Sequence, residues 1–206
     1  MTRAAIISKF GHIKKFEAKE GDRVVARILP GEYYVTTEDE VITTVLGSCI
    51  SACICDPVTK IGGMNHFMLP ESESGDSRWS NTVADATHRY GNYAMESLIN
   101  DILKLGAKKQ NLQVKVFGGG KILEAMTDIG KRNIDFAKEY LLAEQLKIIS
   151  EDVGDRFPRK VNYYPETGRV RVKKLRALYS EDIARREKQF ISEIKTEPVG
   201  GDVELF

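Results

Sequence analysis

A chain of 206 residues, 42% hydrophobic and 30% charged, is long enough to bury a full core as one domain and has an ordinary globular composition. Its 31 Lys and Arg nearly cancel its 30 Asp and Glu, and the net charge of +1 argues against nucleic-acid or membrane binding by bulk electrostatics. No apolar run approaches the ~20 residues of a membrane span, and the N-terminal apolar stretch is too short for a secretory leader, so a cytoplasmic, reducing location is expected.

Residues 42–45 and 50–54 are β-branched and apolar, interrupted by Gly47-Ser48; they read as two strand pieces meeting at a tight turn. Asp56-Pro57 and Lys60 then make a turn, and residues 61–69 form the returning strand. A hairpin of this kind brings His66 back beside Cys49. The Ser-rich stretch 71–81 is a polar loop and a candidate rim to the site, with Trp79 either packed on the domain or touching substrate. Residues 90–105 carry the clearest helical stripe (Tyr90, Ala94, Leu98, Ile102 and Leu105), stopped by Gly106.

Residues 112–117 alternate as a strand and run into Gly118-Gly119-Gly120, ahead of a helical segment at 121–126. The triplet lacks the Gly-Lys-Ser/Thr ending of a phosphate loop and fits no dinucleotide fingerprint, so close backbone packing near the site is the expected role. A second helix over 133–146, a short strand over 148–152, and a hairpin of 161–164 with 169–175 follow. In the last strand Arg169, Arg171 and Lys173 share one face, either a solvated edge or a docking surface for an acidic partner. Residues 177–206 mix charges around Pro198-Val199-Gly200-Gly201, with only Ile183, Phe190 and Ile194 hinting at a helix. They read as a loosely docked or disordered tail, whose terminal Leu205-Phe206 suits a docking peptide.

The chemistry-bearing residues cluster early. Cys49 follows the small residues Gly47 and Ser48, and His66 lies 17 positions further on. A thiol is a strong nucleophile only as thiolate, and a neighbouring imidazole can take its proton. Gly47 and Ser48 let a carbonyl approach backbone N–H groups near Cys49, where an oxyanion needs donors. Cys53 and Cys55 read as small buried strand residues. The alternative is a zinc site built from Cys49, Cys53, Cys55 and His66, but the Cys-x3-Cys-x-Cys spacing is not a usual zinc knuckle.

The run from Leu46 through Cys49, Asp56-Pro57 and Gly62-Gly63-Met64-Asn65-His66 to Pro70 closely resembles the signature of the CheD family, the chemoreceptor glutamine deamidases. Further matches follow in order: Arg89-Tyr90-Gly91-Asn92-Tyr93, Phe117-Gly118-Gly119-Gly120, Ile129-Gly130-Lys131-Arg132-Asn133 and Asp152-Val153-Gly154-Asp155-Arg156. The resemblance covers about residues 31–175. It implies an α+β domain of mixed sheets with flanking helices over residues 31–176, leaving 1–30 as an N-terminal extension and 177–206 as a charged tail.

It further implies Cys49 as nucleophile, His66 as base and Thr43 as the group orienting His66, chosen over the adjacent Thr44 only by its six-residue offset from the cysteine, with Gly47 and Ser48 at the oxyanion turn. No cofactor or metal is expected. The implied reaction is hydrolysis of glutamine side chains in methyl-accepting chemoreceptor cytoplasmic domains, with glutamyl methyl esters as a chemically easy second substrate. A CheC-type phosphatase is an implied partner, whereas nucleic acid and membrane insertion are not expected. A thiol peptidase and a non-catalytic adaptor remain the rival readings.

Overall fold

The computed structural model describes residues 2–18, 23–69, 80–122, 129–176 and 180–196. In chain order its elements are α1 (Arg3–Ser8), β1 (Lys14–Glu17), β2 (Val24–Arg27), β3 (Tyr33–Thr36), β4 (Val41–Leu46), β5 (Ile50–Asp56) and β6 (Ile61–Asn65). After these come α2 (Ser80–Lys104), β7 (Gln113–Gly118), α3 (Ile129–Ala143), β8 (Ile148–Val153), β9 (Arg159–Tyr164), β10 (Arg169–Lys174) and α4 (Ser180–Thr196).

The strands form two sheets, in the orders β1-β2-β4-β9-β10 and β3-β6-β5-β7-β8. Each mixes directions, because β2 pairs parallel with β4 and β7 parallel with β8 while the other pairs run antiparallel. β5 is central to the second sheet and is buried at all seven positions, as its unbroken run of small and apolar residues requires. On one side α2 packs through Leu98, whose Cδ1 leaves no room for a Cβ at Gly63. On the other, Tyr163 of the first sheet lies against Cys55. The fold is therefore α+β, with α2 and α3 packed on the sheet that carries β5 and β6 and touching one another where Phe136 meets Gly91.

The expected hairpin is present. β5 and β6 pair from Cys53↔Met64 to Asp56↔Ile61, and Asp56 Oδ1 closes the turn by accepting from the Val58 and Thr59 N–H groups at 2.8 and 3.3 Å. Other expectations need adjusting. The two strand pieces flanking Gly47-Ser48 belong to different sheets, so the turn between them is a crossing from β4 to β5 rather than a local corner. Helix α2 reaches upstream to Ser80, so residues 80 and 81 are helical and not loop. The apolar stripe begins only at Tyr90, and the residues before it give no periodic signal. The rim residues 71–79, Trp79 among them, and most of the 121–126 segment lie outside the described residues.

Described residues from both terminal regions, 2–17 and 180–192, pack into the domain. Ile6 and Phe10 join the main core, β1 and β2 extend the first sheet, and α4 buries Ala184, Glu187 and Ile191. The tail expected over 177–206 thus contains a docked helix, in which Ile183 and Phe190 of the expected pattern are half-buried beside the buried Ala184, Glu187 and Ile191. The terminal Leu205-Phe206 lies outside the described residues. β10 is an edge strand whose Arg169, Arg171 and Lys173 are exposed while Val170 and Val172 pack against the core.

A buried cation ties the loop after β8 to the start of β9. The Arg159 side chain is fully buried, with Nε 3.0 Å from Asp152 Oδ1, Nη2 donating to Gly154 O at 2.6 Å and Nη1 to Phe157 O at 3.2 Å. Removing it strands an acid and two carbonyls. Arg159→Ala is expected to cost about 3–5 kcal/mol in denaturant unfolding, whereas Lys174→Ala on the exposed Asp155 pair should cost under about 1 kcal/mol.

Candidate active site

Cys49 lies where the backbone leaves β4 in one sheet and enters β5 in the other. The crossing works only because neighbouring backbone comes very close. Gly119 N–H donates to Cys49 O and Gly120 N–H to Gly47 O, both at 2.7 Å. Gly118 has φ 112°, and a Cβ there would sit 2.2 Å from Cys49 O. The glycine triplet is a backbone clamp on the turn. Asn133, from α3, completes it: Nδ2 donates to Ser48 O at 2.8 Å, and Oδ1 accepts from Leu69 N–H at 2.9 Å.

The hairpin places His66 next to this turn. Ile50 and Phe67 exchange both backbone hydrogen bonds, at 2.9 and 3.0 Å, one residue beyond Cys49 and His66 respectively. The His66 backbone is held as well, donating to Glu32 O at 2.9 Å and accepting from Gly31 N–H at 2.7 Å. A ring nitrogen of His66, Cys49 Sγ and a carboxylate oxygen of Glu187 lie within 4.8 Å of one another.

Thr44, not Thr43, reaches the imidazole. Thr44 Oγ1 is 2.7 Å from His66 Nδ1, whereas Thr43 Oγ1 faces Val161 O at 3.1 Å and Asn162 Oδ1 at 2.6 Å. Successive residues of a strand point to opposite faces, so only one of the pair can meet His66. The hydrogen-bond pattern also sets the tautomer. Thr44 has one hydroxyl proton and gives it to Ile28 O at 2.8 Å, so its oxygen must accept from Nδ1–H. Nε2 is left unprotonated, buried and without a hydrogen-bond partner. That is the state a base needs in order to take a thiol proton.

The other half of the site is a cluster of donors. The N–H groups of Gly47, Ser48 and Cys49 all point at the Glu187 carboxylate, with distances of 2.9, 3.0 and 3.2 Å. Ser48 Oγ donates to the same carboxylate at 2.6 Å. Gly47 cannot carry a side chain here, since a Cβ would lie 2.5 Å from Ile122 Cδ1 and 2.9 Å from Glu187 Oε1. Three convergent amides beside a thiol are the geometry that holds a tetrahedral oxyanion.

Burial, and then the Glu187 carboxylate, push the Cys49 thiol well above its ordinary range. Burial alone lowers His66 to about 3. Thiol and imidazole are therefore both neutral in this closed arrangement. A cavity of about 290 Å³ borders His66 from the side of Tyr33, Asn65 and Tyr90.

The four-residue zinc set does not assemble. Cys53 and Cys55 are buried strand residues, and among the described residues Cys49, His66 and Glu187 are the group whose donor atoms converge. The Glu187 oxygens in that group already accept from the turn amides and Ser48 Oγ, so the carboxylate is fully accounted for without a metal. Reading the sequence missed Glu187, Asn133 and the choice of Thr44. Asn133 stood within a motif, whereas nothing local marks a glutamate 138 positions after Cys49 as its neighbour.

A base-ready imidazole, a buried thiol and an amide cluster on an α+β scaffold are the parts of thiol-dependent acyl chemistry. Comparison with known proteins agrees with the scaffold. Residues 68–174 match the family model described as CheD, chemotactic sensory transduction, a match that begins two residues after His66. The chain is 49% identical over 197 residues to a protein of Halorhodospira halophila, covering 96% of this chain and 91% of that one. It is 53% identical over 180 residues to a protein of Hydrogenovibrio crunogenus (87% and 93%) and 47% identical over 197 residues to one of Hahella chejuensis (96% and 92%). All three carry the name "Probable chemoreceptor glutamine deamidase CheD". The chain belongs to the CheD family.

The depressed His66 pKa has a consequence for stability. Between about pH 6.5 and about pH 3 the unfolded chain binds a proton at this ring that the folded chain does not, so stability falls as pH drops through that window. Denaturation at pH 7 and pH 5 should show a smaller loss for His66→Gln than for the native chain. An equal loss in both would mean that the ring is not buried neutral.

Proposed function

We propose that this chain is a protein-glutamine deamidase that converts glutamine side chains of chemoreceptors to glutamate. The observation that carries the reading is the neutral, partnerless Nε2 of His66, set near the Cys49 thiol and beside three converging amides, in a chain of this family. His66 Nε2 takes the thiol proton, and Sγ attacks the carboxamide carbon. The amides of Gly47, Ser48 and Cys49 hold the oxyanion. His66 returns its proton to the departing nitrogen, which leaves as ammonia. Water, activated by the same nitrogen, then cleaves the thioester and releases glutamate, restoring the thiol.

Glutamyl methyl esters would pass through the same acyl-enzyme, with methanol leaving in place of ammonia. Receptor cytoplasmic domains as substrate put the reaction in the cytoplasm. A CheC-type phosphatase is a further proposed partner, resting on the family resemblance alone. The adaptor reading is weaker because thiol, base and donors are all present. The peptidase reading differs only in whether the cleft admits main chain.

Incubation with receptor cytoplasmic fragments should add ~1 Da at specific glutamines, and Cys49→Ala should abolish the gain. Thr44→Ala should cost roughly 10- to 1000-fold in turnover, within the usual scale of acid–base contributions, and Thr43→Ala much less. If Thr43→Ala is the more damaging of the two, the orienting role returns to Thr43 through Asn162. Cleaved main chain in place of the mass gain would favour a peptidase.

A further inference from the structure

The contacts of α4 point to a function for the C-terminal segment. Glu187 is 2% exposed, and its two oxygens accept from the amides of Gly47, Ser48 and Cys49 and from Ser48 Oγ. A glutamate carboxylate in an oxyanion hole is chemically the product of glutamine hydrolysis. One of its oxygens lies within 4.8 Å of Cys49 Sγ, beside the thiol that would attack a substrate carbonyl. We propose that α4 is a built-in occupant of the active site, holding Glu187 in the position of the reaction product, so that the resting chain is closed until a glutamine-bearing substrate segment displaces α4. The proposal rests on the reading of Cys49 as the reactive thiol.

Other contacts of α4 agree with a helix that covers the site. Phe190, one turn on from Glu187, lies against Gly31, whose N–H holds the His66 carbonyl; a Cβ on Gly31 would be 2.8 Å from Phe190 Cζ. Ala184 and Ile191 are buried on the same face, at the spacing of successive helical turns. Glu187 thus sits in the middle of an otherwise apolar stripe, where a charged residue is costly unless the surface it meets supplies donors. The turn supplies four.

α4 adds Ile191 to the core and packs Phe190 against it, but every strand pairing is made without it, so its departure leaves both sheets intact. Its departure removes the carboxylate and admits water. Both changes bring the Cys49 thiol down towards its ordinary range, and the entry of water raises His66 towards its own, which favours formation of a thiolate.

The test is the rate at which iodoacetamide labels Cys49 relative to buried Cys53, read by peptide mass spectrometry on the full chain. Cys53 serves as an internal monitor of unfolding, because general loss of structure exposes both thiols together. Glu187→Ala, and separately Ile191→Asp, should raise the Cys49-to-Cys53 labelling ratio at least about tenfold over the native chain. An unchanged ratio in both variants would overturn the proposal and leave α4 as a structural helix only. Turnover on receptor fragments, measured alongside, separates this from the proposed function. Absence of deamidation in every chain would count against the enzyme reading, while the labelling ratio would still report whether α4 closes the site.

Discussion

Three successive amide groups facing the same way, at residues 47–49, are the arrangement on which the rest of the site depends. A strand cannot provide it, because its N–H groups alternate in direction and are used in the ladder. The chain escapes the ladder by leaving one sheet at Leu46 and entering the other at Ile50. The crossing is held from behind by Gly119 and Gly120, which take up the carbonyls of Cys49 and Gly47, and from the side by Asn133 on Ser48. With the carbonyls engaged in the protein, the N–H groups are left to face a ligand. The glycines at 118–120 are therefore part of the site's construction, although none of them touches the reacting atoms.

The same economy governs His66. One threonine hydroxyl does two things: its proton goes to Ile28 O, and its oxygen takes Nδ1–H. The partner of Nδ1 is an uncharged hydroxyl and not a carboxylate, and burial lowers the ring's proton affinity. Buried in this way, thiol and imidazole are both neutral. A closed, neutral resting state is a consistent consequence of the packing, and Glu187 strengthens it by adding negative charge next to the thiol.

Much of this was legible in the sequence, and the limits have physical causes. The β5–β6 hairpin follows from two apolar runs around Asp56-Pro57, and it carries His66 back to the cysteine. The helix around Leu98 follows from a stripe at helical spacing, although α2 starts ten residues before the expected Tyr90, and the helix expected over 133–146 is α3, shifted a few residues upstream. The choice between Thr43 and Thr44 turned on strand parity at a crossing between two sheets, which no local pattern reports. Nothing in the local sequence marks Arg159 as buried, because its burial depends on a loop that folds over it. Glu187 was hidden for a different reason: a carboxylate on a buried face looks like a break in the apolar stripe unless the donors it meets are already known.

The central claim is that Cys49 forms a covalent acyl intermediate held by its own turn. Acid-quenched mixtures of the native chain with receptor cytoplasmic fragments, taken during turnover, should contain a thioester adduct on the Cys49 peptide, with the mass of the substrate peptide less one ammonia. Deamidation that proceeds with no such adduct, or an adduct on Cys53 or Cys55 instead, would contradict the account.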